Sequence, residues 1–182
     1  MSKSALKILN TAEKLFNHNS FIGVGVDFIR DESGCSKTTM YTHFKNKTQL
    51  IHSVLTARDQ RFQHRILEHI GDSYGATAIH QILDWHMKWF QQDDFKGCLF
   101  IRAFSEATDH QEICAISIAH KQWVKQLITK HCLIAGHPEA NEIIYTLIEG
   151  LISRFLIDGF NANVAQKIQH TIYVLLSPPQ HT

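Results

Sequence analysis

Apolar residues return every three or four positions through most of the chain, the period of a helix with one buried face. Residues 4–17 place Ile8, Ala12, Leu15 and Phe16 on such a face, and Asn17-His18-Asn19-Ser20 ends the run. After Phe21, Gly23-Val24-Gly25 predicts a short turn. Residues 26–33 predict a short helix with Val26 and Ile29 inward, closed by Gly34. Ser36 to Phe44 predicts a second short helix, with Ser36 as its N-cap and Met40, Tyr41 and Phe44 as buried candidates. Asn46 caps the next helix, with Gln49 in the capping-box position, and the pattern carries this helix to about Gly71. Further helices are predicted over 76–92, 97–108, 111–134, 139–158 and 163–176. Gly136 is placed just past a helix end and Pro138 in the first turn of the next helix. No segment alternates as a strand does. The prediction is an all-α fold of about nine helices, with an N-terminal three-helix domain followed by a helical bundle.

The chemistry concentrates in residues 26–47. Two short helices joined through Gly34-Cys35, the second opening on Ser36, have helix-turn-helix spacing. A helix that enters a DNA major groove must be short, capped and held at a fixed angle. Its first turns must carry small polar or basic side chains that reach base edges and phosphates. Ser36, Lys37, Thr38, Thr39, Thr42 and His43 meet that requirement, and Lys45 and Lys47 stand just beyond, where phosphates would pass.

In order and spacing, residues 8–55 resemble the DNA-binding domain of the TetR family of transcriptional regulators. The resemblance rests on Ala12-Glu13-Lys14-Leu15-Phe16, Ile29, Gly34-Cys35-Ser36-Lys37, Tyr41-Thr42-His43-Phe44 and Lys47-Thr48-Gln49-Leu50. It implies that Tyr41 and Lys47 hold phosphates; packing between helices is the other role open to Tyr41. Residues 37–39, Thr42 and His43 would lie near base edges or the backbone. The sequence departs from the family pattern where a Thr or Ser usually opens the second helix: here stand Val24 and Gly25. Glu32 and Cys35 are further departures. The implied division is a DNA-binding domain over 1–46 and an effector-binding and dimerisation domain over 47–182.

Charge supports a polyanion partner at one end. Residues 1–65 carry ten Lys/Arg against five Asp/Glu, whereas 66–182 carry eight against twelve, so a net +5 is joined to a net −4. A chain of 182 residues with 12 Gly and Pro needs no disulfide or metal to fold. The region 143–160 is apolar but carries Glu149, Arg154 and Asp158, so no membrane span is expected. With no signal sequence and four scattered cysteines, a cytoplasmic location is expected.

Beyond residue 71 the pattern suggests assembly and a ligand. Ile144, Leu147, Ile148, Leu151 and Phe155, with Ile168, Ile172 and Leu175 on the next helix, form stripes wider than one core face needs; they are the candidates for a homodimer interface. Trp85, His86, Trp89, Phe100, Phe104 and Trp123 are candidates to line a pocket for a small apolar or aromatic effector, with His86, Arg102 and His120 as polar anchors. Among 13 histidines, pairs such as His64/Glu68 and His80/Asp84 have ligand spacing by chance, so neither metal nor cofactor is expected. No phosphate loop, nucleophile elbow or catalytic dyad is present, which argues against an enzyme. The expected function is an effector-released regulator, most simply a repressor, that binds a palindromic double-stranded operator as a dimer. The alternatives are a thiol- or electrophile-sensing regulator acting through Cys98, or a helical module that has lost its DNA contacts.

Overall fold

The computed structural model describes residues 1–107 and 109–177; Thr108, where the pattern ends a helix, and Pro178 and Pro179 lie outside them. Nine α-helices are present among the described residues: α1 Lys3–His18, α2 Val26–Ser33, α3 Lys37–His43, α4 Lys47–Ile70, α5 Gly75–Phe90, α6 Leu99–Glu106, α7 Gln111–Ile134, α8 Asn141–Asp158 and α9 Ala162–Leu175. The prediction of an all-helical chain holds, with boundaries moved by one to a few residues. Ser36 and Phe44 cap α3 rather than lying in it. Pro138 does not start α8; it opens a separate 3-10 turn, Pro138–Ala140. A proline tolerates such a first turn because the N–H it lacks would have no partner there.

The chain forms two compact units, each assembled from separated segments. The first comprises residues 1–62 and 98–120, the second 63–97 and the remainder from 121. In the first unit, Ile8, Ala12, Phe16 and Ile29 are fully buried, with Val54 and Leu55 of α4 and Ala103 of α6 in the same core. Each large apolar side chain buried there stabilises the unit by roughly 1.5–3 kcal/mol. The expected boundary at residue 46 therefore marks the start of α4, while the packing of this unit continues through α4 to Phe62 and takes in α6. Glu13 on α1 pairs with Arg58 at 2.9 Å and also with Arg61, fastening α1 along α4.

The second unit is built on the inner faces of α5 and α8. Ile79, Ile82, Ile144 and Ile148 are wholly buried. Phe90 of α5 meets Phe155 of α8 edge-on at 5.3 Å. Lys121 donates to both carboxylate oxygens of Glu149, at 2.8 and 2.7 Å, tying α7 to α8. Gly97 has φ +75, and a Cβ there would stand 2.8 Å from Leu156 Cδ2, so both its backbone and its neighbour favour glycine. No helix among the described residues is long and apolar enough to cross a membrane.

Candidate nucleic-acid interface

Helix α2 ends on Gly34, whose left-handed φ of 58 lets the chain reverse without a Cβ penalty. Two residues later the Ser36 hydroxyl accepts from Thr39 N at 3.0 Å and exchanges a 2.8 Å hydrogen bond with the Thr39 hydroxyl. This cap starts α3 at a fixed place relative to α2. Met40 and Phe44, four residues apart, then point inward at 3% and 6% exposure. Tyr41 does not join them: it is 46% exposed. One helical residue rotates the side chain by about 100°, so Tyr41 leaves the buried face that Met40 and Phe44 share.

The outward face of α3 is thus polar. Ser36, Lys37, Thr38, Tyr41 and Thr42 are exposed, and Thr39, His43 and Lys47 are half-buried. Thr42 donates its hydroxyl to Thr38 O at 2.8 Å, which orients it along the helix. Lys37 lies 3.4 Å from Asp27 of α2, an exposed pair that costs little to break. His43 shares a 3.0 Å hydrogen bond with the Ser2 hydroxyl, the same hydroxyl that caps α1 by accepting from Ala5 N. Next to this face, Asn46 Oδ1 accepts from Gln49 N at 2.8 Å and Gln49 Oε1 accepts from Lys45 N at 2.7 Å. The cap expected from the sequence is present, and it places Lys47 on the first turn of α4.

As Val24 and Gly25 imply, α2 has no side-chain cap: Gly25 makes no side-chain hydrogen bond, and Val24, at 1% exposure, fills the core. The engagement of α6 has no local sequence signal. Arg102 Nη1 donates to the carbonyls of Phe16, Asn17 and Asn19 at 3.1, 3.0 and 2.8 Å, satisfying the C-terminal end of α1. Glu106, one turn further, accepts from Ile22 N at 3.1 Å. Lys47 donates to the carbonyl of that same Ile22 at 3.3 Å. Burial lowers the pKa of the Lys47 ammonium, and the Glu106 carboxylate pulls it partly back up. Lys7 is a further cation that sequence reasoning missed; its Nζ lies 3.4 Å from where a Cβ on Gly34 would stand. These contacts join residues far apart in the chain, so no local pattern announces them.

The effector candidates divide between the units. In the second, Trp85 and Trp89 lie 6.1 Å apart on α5, His86 sits between them at 2% exposure, and Phe95 meets Trp89 edge-on at 5.0 Å. His86 Nδ1 is bonded to Ile82 O at 2.7 Å. Trp123, on α7, is half-buried in the same unit. In the first unit, Phe100 is buried and stacks on His120 with ring centroids 3.7 Å apart, while Phe104 is exposed. His120 is also bonded to Asp59 at 2.7 Å, and Arg102 serves the α1 carbonyls. The dimer candidates also separate by burial. Ile144, Ile148, Leu151, Phe155 and Ile172 are buried in their own unit, and Leu147, Ile168 and Leu175 are half-buried. The exposed apolar positions of α8 and α9 are instead Ile143, Leu156, Ile157, Tyr173 and Val174. Cys98 is half-buried at the start of α6, whereas burial pushes the thiol of Cys132 up to about 11. No group of three or more metal-ligating side chains occurs among the described residues.

Residues 8–54 match the family model for bacterial regulatory proteins of the tetR family. No curated protein matches the chain in sequence. Among solved structures, a TetR-family transcriptional regulator from Streptomyces coelicolor superposes with a TM-score of 0.87 at 22% identity, covering 95% of this chain and 94% of that one. E. coli NemR in its reduced form gives 0.81 at 16% identity, over 98% and 100% of the two chains. FadR from Bacillus subtilis, in complex with stearoyl-CoA, gives 0.72 at 16%, over 94% and 97%. The helix-turn-helix segment is thus matched by the tetR family model, and the described helices are matched in fold by TetR-family transcriptional regulators.

Proposed function

We propose that the protein is a dimeric repressor that binds a palindromic operator and is released from it by a small apolar or aromatic effector. The observation that carries the DNA reading is α3 itself. Its N-cap is made, Met40 and Phe44 hold it inward, and Lys37, Thr38, Tyr41 and Thr42 face out. Each α3 enters a major groove, so two-fold protein symmetry requires a two-fold operator with half-sites about one helical turn, or a multiple, apart. The exposed Tyr41 and the first-turn Lys47 hold phosphates. Lys47→Ala is expected to weaken binding to all duplexes alike and to flatten the salt dependence by about one unit per protomer. Titration of operator and random duplex over a range of salt measures this. An unchanged slope removes Lys47 from the interface, and no binding to any duplex at low salt favours a module without DNA contacts.

The effector part of the proposal rests on the α5 aromatics. Trp85 and Trp89 offer two large apolar rings, with Phe95 against the second. The FadR neighbour, a relative in fold, was solved in complex with stearoyl-CoA, whose acyl chain is apolar. α4 is one helix of 24 residues, the first part of which belongs to the first unit and the last part to the second. A hundredfold loss of operator affinity requires the effector to favour the released arrangement by about 2.7 kcal/mol, and DNA must then weaken the effector equally. Trp89→Leu is expected to change effector affinity at least tenfold and to leave operator binding without effector intact. Tryptophan fluorescence, titrated with compounds that release operator, provides the reading. If release instead follows thiol oxidation and is abolished by Cys98→Ser, the thiol-sensing mechanism replaces this one.

A further inference from the structure

We infer that Glu106 is a built-in competitor of the DNA backbone, holding through Ile22 the lysine that a phosphate must engage. The inference rests on the assignment of Lys47 as a phosphate contact. A single residue, Ile22, is gripped from both sides: its N–H donates to Glu106 at 3.1 Å and its carbonyl accepts from Lys47 at 3.3 Å. A carboxylate and an ammonium are thereby held against one exposed loop residue, close enough for their charges to interact. Glu106 does not sit there by chance of a flexible surface. Arg102, one turn earlier on α6, is fixed by three carbonyls at the end of α1, so α6 presents the carboxylate to the loop at a set position.

The chemistry follows from what DNA brings. A phosphate that approaches Lys47 also approaches a fixed negative charge, and it must draw the ammonium off the Ile22 carbonyl before bonding it. Phosphate contacts carry no sequence information, so the penalty weighs on random and operator duplex alike. Glu106 therefore sets the backbone part of the DNA affinity. It also makes that affinity sensitive to any displacement of α6, because moving α6 moves the carboxylate.

Glu106→Gln tests this, because the amide oxygen still accepts from Ile22 N and only the charge is lost. The variant is expected to bind random duplex about threefold more tightly per protomer, hence about tenfold for a dimer, at low salt. The gain should shrink as salt rises. Operator affinity should rise by a similar factor, because the contact is to the backbone. Glu106→Asp, which keeps the charge and shortens its reach, should move both affinities in the same direction by a smaller factor. A double-mutant cycle with Lys47→Ala separates the two claims. If Lys47→Ala alone leaves DNA binding unchanged, the phosphate assignment fails. If Lys47→Ala weakens binding but Glu106→Gln does not strengthen it, or strengthens it as much without Lys47 as with it, the competition is overturned.

Discussion

Gly150→Leu is expected to convert a dimer into a folded monomer. Gly150 lies in the middle of α8 and has no left-handed backbone to justify it. A Cβ built there meets nothing within 4 Å, so the protomer itself has no use for the missing side chain. Glycine in a helix interior costs roughly 1 kcal/mol relative to alanine. The cost is explained if a second copy of α8 crosses there, backbone close to backbone. The surrounding surface fits: Ile143 and Ile157, at 48% and 81% exposure, flank Gly150 one heptad away on each side, and Thr146 and Ser153 between them are small and exposed. A leucine at 150 should hold the two helices apart while raising the monomer's own helical stability. Sedimentation should show a monomer, and circular dichroism should show it still helical. Operator affinity should fall on the order of a hundredfold, because the second half-site is no longer bound intramolecularly. A dimer that persists with leucine at this position places the interface on another face. Ile148→Glu would be a poor substitute test, since Ile148 is wholly buried in its own protomer and the charge would disrupt folding directly.

Phe100→Ala is expected to destabilise the first unit by about 3–5 kcal/mol, the usual cost of deleting a buried aromatic. The ring is 3% exposed and lies flat on His120 at an 11° interplanar angle. Phe62 closes the other approach to that imidazole, edge-on at 4.7 Å. Removing Phe100 would leave a cavity and take one wall from the buried His120, which is bonded to the half-buried Asp59 at 2.7 Å. Denaturant unfolding, followed by circular dichroism, should show a lower midpoint with little change of slope. An unchanged midpoint together with an altered effector affinity would return Phe100 to a ligand pocket.

Much of the fold was legible because helical periodicity is local. The spacing of Ile8, Ala12, Leu15 and Phe16 gave α1. Gly34 and Ser36 gave the turn and cap of the reading head, and Asn46 with Gln49 gave the start of α4. What the sequence left open depends on partners distant in the chain. Nothing near Arg102 in sequence shows that it reaches the end of α1, more than eighty residues earlier. The wide stripe on α8 marked Ile144, Leu147 and Ile148 together, but two of the three are consumed by the protomer's own core and Leu147 is half-buried. Width alone does not say which edge of a stripe remains outside. Tyr41 shares a large apolar body with the buried Met40 and Phe44, and one residue of rotation sets it apart.

The discontinuity of the first unit has a consequence for synthesis. A ribosome delivers α1, α2, α3 and the start of α4 early, yet Leu99, Phe100, Ala103 and Ile113 of the same core arrive only after the intervening 63–97 segment. Until then the nascent head exposes the apolar faces those residues will cover, and Arg102 is not yet there to satisfy the end of α1. Translation at about 5–20 residues per second makes that delay several seconds. A unit completed so late is expected to stay incompletely packed in the first half of its own chain, and truncated products that end before α6 are expected to be cleared.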